Sequence, residues 1–245
     1  MPDPSWIVLR LEGPLLAFGG VAVDQVGTTR DFPAASMLTG LLASALGYRR
    51  QDWERHQMLQ DRLIYAARCD RMDPDSPITD TQNAQLAKSD KGWTTWGKPE
   101  GRDGASYAAP HRRRRDYHAD ACVTVCLRLD PAESDPRLEE VRAALERPCR
   151  PLFVGRKTCL PSWPLYERVG VSAPSAYAAL AQVPSRWGDA QEGLRALWPL
   201  DEGPAAGDCV RRVMDLPDLR NWRTGLHGGT RKIVEGLVVP LEASP

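Results

Sequence analysis

The sequence predicts an α+β fold: a ferredoxin-like (RRM-like) βαββαβ core, a long insert that reads as a projecting arm, and a Pro-rich C-terminal subdomain. Three observations lead there. Trp6 to Leu11 and Ala119 to Leu129 alternate apolar and polar residues with the period of a strand. Ala34 to Leu46 and Asp135 to Glu146 carry apolar stripes with the period of a helix. Between about Pro74 and Pro110 both periods vanish, and Asp, Thr, Lys, Gly and Pro dominate.

In the first strand Ile7, Leu9 and Leu11 face one side and Trp6, Val8 and Arg10 the other. The first helix starts after Pro33, stops at Gly47 and buries Met37, Leu38, Leu41, Leu42, Ala45 and Leu46. Its other side is small at Ser36, Gly40, Ala43 and Ser44, which lets another backbone come close. Leu63 to Cys69 reads as a second strand, and Ala121 to Leu129 gives the clearest alternation in the chain. Asp135-Pro136 opens the second helix, Pro148 closes it, and Leu152 to Val154 supplies the fourth strand of the core. Beyond Pro161 periodicity is weak, with a late strand at Lys232 to Val239. The expected division is a core of residues 1–74 and 111–165, an inserted arm at 75–110, and a C-terminal subdomain at 166–245.

The chain has 245 residues with 32 basic and 32 acidic side chains, so any attraction for nucleic acid must reside in patches. No apolar run approaches the roughly 18 residues of a membrane span. The opening MPDPSWIVLRLEGP has neither a basic start nor a long apolar core, so no signal peptide is expected. A cytoplasmic protein without cofactor or membrane contact is expected, its six cysteines reduced. Cys122 and Cys126 have helical spacing but lie in a strand, where four residues span about 13 Å, too far for one zinc ion.

The strongest local feature is His111-Arg112-Arg113-Arg114-Arg115-Asp116-Tyr117-His118. Arginine pairs with phosphate or stacks on bases, and tyrosine stacks, so the run reads as an RNA patch; a solvated basic loop is the plainer reading. Arg115 is set aside as a partner for Asp116 or Asp120. A second run, Arg147 to Lys157, holds four cations and no acid, and Gly155-Arg156-Lys157 combines backbone donors with charge. Cations at a helix C-terminus explain Arg147 equally well, but not Arg156 and Lys157. His111, Tyr117 and His118 also suit metal-independent RNA cleavage, with histidine as general acid or base. Trp93 and Trp96, in the polar insert, read either as partner-binding anchors or as side chains folded back on the core.

In order and spacing the motifs resemble the CasD family, of the RAMP superfamily. The first block is Leu9-Arg10-Leu11, Gly13-Pro14, Phe18-Gly19, Thr29-Arg30, Pro33, Ser36 and Gly40-Leu41-Leu42; the second is Arg115, Tyr117, Asp120-Ala121 and Val123. The third is Pro151-Leu152, Gly155-Arg156-Lys157 and Cys159-Leu160-Pro161, departing from the family by Lys157 in place of a second arginine. The resemblance implies a non-catalytic subunit of a type I-E CRISPR Cascade complex that caps it and grips the 5′ handle of the crRNA for antiviral defence. It implies a thumb-like insert, contacts to the CasC backbone and the CasA large subunit, and indirect contact with target DNA. On these blocks and the two basic runs together the RNA-binding set is Arg10, Arg30, Ser36, Arg112, Arg113, Arg114, Tyr117, His118, Gly155, Arg156 and Lys157. The alternative is a metal-independent endoribonuclease that processes CRISPR repeat RNA.

Overall fold

The alternating first segment forms strand β1, Ser5–Leu16, longer than its clearest apolar stretch. The computed structural model describes residues 2–20, 22–23, 25–73, 77–85, 87, 91–93, 99–100, 110–187 and 191–241. Two short strands follow, β2 Ala22–Val23 and β3 Val26–Gly27, then helices α1, Ala35–Ala45, and α2, Trp53–Arg62. Strand β4 is Leu63–Arg71 and β5 Ile78–Ala84, with a small pair β6 Gly92–Trp93 and β7 Pro99–Glu100. Strand β8 spans His111–Leu129 and helix α3 Leu138–Glu146. The remainder is β9 Tyr166–Ser172, α4 Ala176–Gln182, β10 Leu194–Pro199, β11 Val210–Leu216 and β12 Arg231–Val238.

The strands join in the order β11-β12-β10-β4-β8-β1-β9, each neighbour antiparallel to the next. The period-2 pattern of β1 divides between two cores. Ile7, Leu9 and Leu11 pack with Leu38, Leu42, Val141 and Leu145 of α1 and α3. Trp6 and Val8 pack with Ala176, Ala179 and Leu180 of α4 and with Trp198 and Val234. Burying a leucine or valine in such a core is worth roughly 1.5–3 kcal/mol.

Buried charge ties the layers together. The fully buried Arg68 donates through Nε to Asp70 at 2.6 Å and through Nη1 to the carbonyls of Leu180 and Val183 at 2.7 and 2.8 Å. The end of α4 is thereby fixed to the sheet.

The expected fourth strand at Leu152 to Val154 is a loop instead, closed by the Val154 N–H on the Cys159 carbonyl at 2.8 Å. The strand in that place is β9, which pairs with β1. Among the described residues its outer side has no neighbouring strand, and Arg168, Val169 and Gly170 are exposed, so it carries no apolar alternation. The second helix starts at Leu138 rather than at Pro136. Arg62 holds the carbonyls of Pro131, Ser134, Asp135 and Pro136, which keeps that segment non-helical. Residues 166–245 feed the same sheet at both ends, β9 at one and β10–β12 at the other.

The basic run is not a loop: it is the outer half of β8. Here β8 leaves β4 and pairs with β5, from Ile78 opposite Tyr117 to Ala84 opposite His111, while β3 lies parallel on its other edge. At the switch Asp120 adopts φ 46°, and Arg71 holds its carbonyl and its carboxylate, both at 2.8 Å. The insert thus begins and ends as a projecting hairpin whose β5 side chains are mostly exposed. Trp96 and the side chain of Trp93 lie outside the described residues.

Candidate nucleic-acid interface

Where α1 meets the base of this hairpin, the structure forms a cleft of about 410 Å³. Its floor is the small side of α1, with Ser36, Gly40 and Ser44 one turn apart. One wall is the loop Leu152 to Arg156 with Gly19, Gly20 and Gly27; the opposite wall is the segment Arg220 to His227.

The first wall depends on close backbone approach. Gly155 has φ +85°, and a Cβ there collides with the carbonyl of Ala17. Arg156 reaches across to the carbonyl of Asp116 at 2.7 Å and those of Gly27 and Thr28 at 2.8 and 3.2 Å. Its guanidinium lies 4.7 Å from the centroid of the Tyr117 ring. Arg156 therefore joins β3 to β8 while it contributes positive charge to the cleft.

The second wall is held by α2. Gln60 donates to the Arg220 carbonyl at 2.9 Å, and its own oxygen accepts from the Arg220 amide and the Trp222 indole, both at 3.1 Å. Gln57 accepts from the Trp222 amide at 3.2 Å, and His56 stacks on the indole with centroids 4.7 Å apart. Arg220 carries its buried Nε without a hydrogen-bond partner among the described residues.

Three arginines, Arg115, Arg156 and Arg220, and His227 line the cleft, with no carboxylate among the described lining residues. Apolar surface comes from Met37, Leu41, Leu152, Phe153 and Trp222. Positive charge beside flat apolar walls suits a phosphate joined to an unstacked base.

The expected site residues divide. Ser36, Gly155 and Arg156 line this cleft. Arg10 is 6% exposed, its Nε on Glu167 at 2.7 Å and its Nη1 3.5 Å from Asp70, so its charge serves the fold. Arg30 donates to the Pro217 carbonyl at 2.7 Å and ties the C-terminal segment to the glycine loop. His118 is buried against Phe18, its Nε2 2.8 Å from the Arg30 carbonyl, and Tyr117 is buried beneath Arg156. Lys157 is exposed outside the cleft lining. Arg112, Arg113 and Arg114 are exposed along β8, and strand alternation sends Arg113 to the side of Arg115 and the other two to the opposite side.

The first amides of α1 are engaged: Ala35 and Ser36 donate to the side chain and the carbonyl of Asp218, at 3.0 and 3.1 Å. One expectation is corrected. Arg115 lines the cleft, whereas Asp120 is held by Arg71 and Asp116 receives the Thr79 hydroxyl at 2.7 Å. Sequence reasoning missed Arg220, Trp222 and His227. Their signal was an arginine, a tryptophan and a histidine within eight residues, followed by Gly228-Gly229. Burial pushes the thiols of Cys122 and Cys126 up to about 11 and about 12, so both stay protonated near neutral pH.

Comparison with known proteins places this cleft in context. The family model described as CRISPR-associated protein (Cas_Cas5) matches residues 6–234. The chain is 30% identical over 162 residues to the CRISPR system Cascade subunit CasD of Escherichia coli (strain K12), an alignment covering 66% of this chain and 70% of that one. A solved structure titled "CRISPR RNA-guided surveillance complex" contains a similar chain, with TM-score 0.67, 22% identity, and coverage of 98% of this chain and 94% of that one. Another, titled "Crystal structure of Cas protein", has TM-score 0.61 and 24% identity, with 99% and 100% covered.

Proposed function

The chain belongs to the Cas5 family of CRISPR-associated proteins, and from that premise we propose that it is a non-catalytic RNA-binding subunit of a Cascade surveillance complex. The cleft takes part of the 5′ handle of the crRNA, and the protein caps that end of the complex in the cytoplasm. The observation that carries this reading is the acid-free cleft with three arginines beside an indole. Its relative in Escherichia coli is named a Cascade subunit, which supports the assembly role.

In this reading Arg115 and Arg220 meet phosphate, and Trp222 and Phe153 give flat faces to a splayed base. Gly40 keeps the floor open, since a Cβ there already meets Trp222 at 3.6 Å. The four strands β9-β1-β8-β4 form the ferredoxin-like unit, and the hairpin at 75–110 is a thumb-like arm that meets a CasC neighbour, with CasA on another surface. Among the described residues no helix is long and apolar enough to cross a membrane.

The endoribonuclease reading draws on His111, Tyr117 and His118; Tyr117 and His118 are buried and engaged within the fold, and the side chain of His111 lies outside the described residues. His227 is the one imidazole on the described lining of the cleft. The test is to incubate the pure full chain with end-labelled repeat RNA from its own locus. Binding that leaves the RNA intact supports the proposal; site-specific cutting that is lost in His227→Ala contradicts it.

A further inference from the structure

The loop that leads from the cleft into β9 turns apolar side chains outward on a fixed backbone. The Ser162 amide donates to the Glu12 carbonyl at 2.9 Å, and the Leu160 carbonyl lies against Gly13, where a Cβ would come within 2.8 Å of it. Yet Leu160 is 60% exposed and Trp163 65%, the most exposed tryptophan among the described residues. Beside Trp163 lies a pocket of about 370 Å³ between the last turn of α3 and β9. Leu145, Trp163, Pro164 and Tyr166 give it apolar walls, and two ion pairs rim it. Arg168 meets Glu146 and Arg186 meets Glu167, both at 3.1 Å, and in each pair the guanidinium is the more exposed partner. The other Glu167 oxygen accepts from Arg10 at 2.7 Å. The carboxylates are thus matched from within, and the charge turned to solvent is positive.

We propose that this pocket seats a neighbouring protein subunit, which covers Trp163 and Leu160, inserts an apolar side chain beside Leu145 and Tyr166, and sets a carboxylate against Arg168 and Arg186. The proposal rests on the assembly reading above and not on the cleft. Tryptophan is the side chain most enriched among interface anchors, and one held on a pinned backbone has little freedom left to lose on binding. The outward guanidiniums repel a basic partner and draw an acidic one, so the apolar anchor comes with a carboxylate beside it. A nucleic-acid strand is disfavoured because Glu146 and Glu167 line the same pocket. A second copy is disfavoured because two-fold pairing sets the guanidinium rim against itself. An added strand is disfavoured because β9 bulges: Arg168, Val169 and Gly170 stand between the pairs Val8–Glu167 and Trp6–Val171, opposite Ile7 alone. The partner therefore docks through side chains rather than by extending the sheet.

The test co-expresses the full chain, affinity-tagged, with crRNA and the other Cascade subunits of its own locus. Each subunit in the recovered complex is counted by native mass spectrometry across a salt series. Trp163→Ser/Leu160→Ser is expected to recover one protein subunit at about a tenth of its parental level, the scale on which loss of an interface anchor is felt. The thermal melt of the isolated variant and its affinity for repeat RNA stay those of the parent. Arg168→Glu is expected to lower recovery of the same subunit, most strongly at low salt. If the double variant melts early, Arg168→Glu, changed at an exposed side chain, decides alone. Full recovery in both variants overturns the proposal, and so does a firmer hold in Arg168→Glu, which means a basic partner. A loss confined to RNA overturns it by making the patch part of the RNA path. A parent that is dimeric alone and monomeric in the double variant overturns it in favour of a second copy. Failure of the assembly reading shows separately, as a parent chain that recovers no other subunit.

Discussion

The Asp218 carboxylate lies between the Arg231 guanidinium, 2.9 Å away, and the Ala35 amide that opens α1, 3.0 Å away. The Tyr65 hydroxyl joins them: its one proton lies within reach of the Pro33 carbonyl at 2.7 Å and of Asp218 at 3.1 Å, and its oxygen accepts from Arg231. The C-terminal strands are thereby bolted to the helix that floors the cleft. Burial, first of all, pushes the Tyr65 hydroxyl well above the ordinary tyrosine range, with the Asp218 charge adding to it and Arg231 opposing.

Asp218→Ala leaves Arg231 and the Ala35 amide without their buried acceptor. Removing one member of such a pair costs about 3–5 kcal/mol. Chemical denaturation is expected to show a loss in that range with an unchanged m-value. A loss below about 1 kcal/mol contradicts the bolt, being what a surface ion pair gives.

Trp222→Ala removes the flat wall of the cleft. Stacking of a base on an aromatic side chain is worth about 1–3 kcal/mol, so handle RNA is expected to dissociate about 5- to 150-fold more readily. Trp222→Phe is expected to recover most of the affinity. Gln60→Leu keeps the indole but releases its clamp, and an intermediate loss in a titration of labelled RNA checks that the clamp positions it.

Glu235 is 4% exposed and sits between Arg195 at 2.7 Å and Arg212 at 2.6 Å. Burial alone raises its carboxyl, but hydrogen bonds and charge from the two arginines outweigh burial and hold it below the ordinary 4.5. The unfolded chain therefore takes up this proton at higher pH than the folded one. The stabilisation is fully present above about 4.5 and is lost as pH falls through the lower folded value. Glu235→Gln is expected to be less stable at pH 7, with the gap to the parent narrowing below pH 4.5. A gap that stays constant down to pH 2 contradicts the assignment.

Replacing residues 80–106 with a short Gly-Ser linker removes most of β5 and leaves the outer half of β8 without that partner. The described β5 side chains are mostly exposed, so the remaining protein is expected to keep a cooperative melt. It is also expected to fail to join purified Cascade subunits in gel filtration. Unfolding makes the arm part of the core; normal assembly removes its role there.

Much of the core was legible because strong periods mark surfaces with one clear inside. In β1 the alternation of Trp6 and Val8 against Ile7 and Leu9 maps onto two separate cores. The stripe of α1 and the odd positions of β8 from Ala121 behave in the same way. Helix α2 was invisible because its sequence, WERHQMLQDR, buries mostly polar groups, among them His56, Gln60 and Arg62. Strands β9 and β11 lie at the sheet edges, where one side meets solvent and alternation fades. The cleft was half legible: Ser36, Gly155 and Arg156 came from motifs, whereas Arg220 and Trp222 depend on a contact with α2 made 160 residues away. Arg10 was misleading because a strand arginine looks identical whether it meets RNA or, as here, Glu167.

Photocrosslinking of 4-thiouridine-labelled handle RNA to the full chain, with the linked peptides identified by mass spectrometry, tests the central claim most directly. The account predicts crosslinks at the two walls of the cleft, Leu152 to Arg156 and Arg220 to His227. Crosslinks confined to β11, α4 or the outer edge of β9, with none in either wall, contradict it.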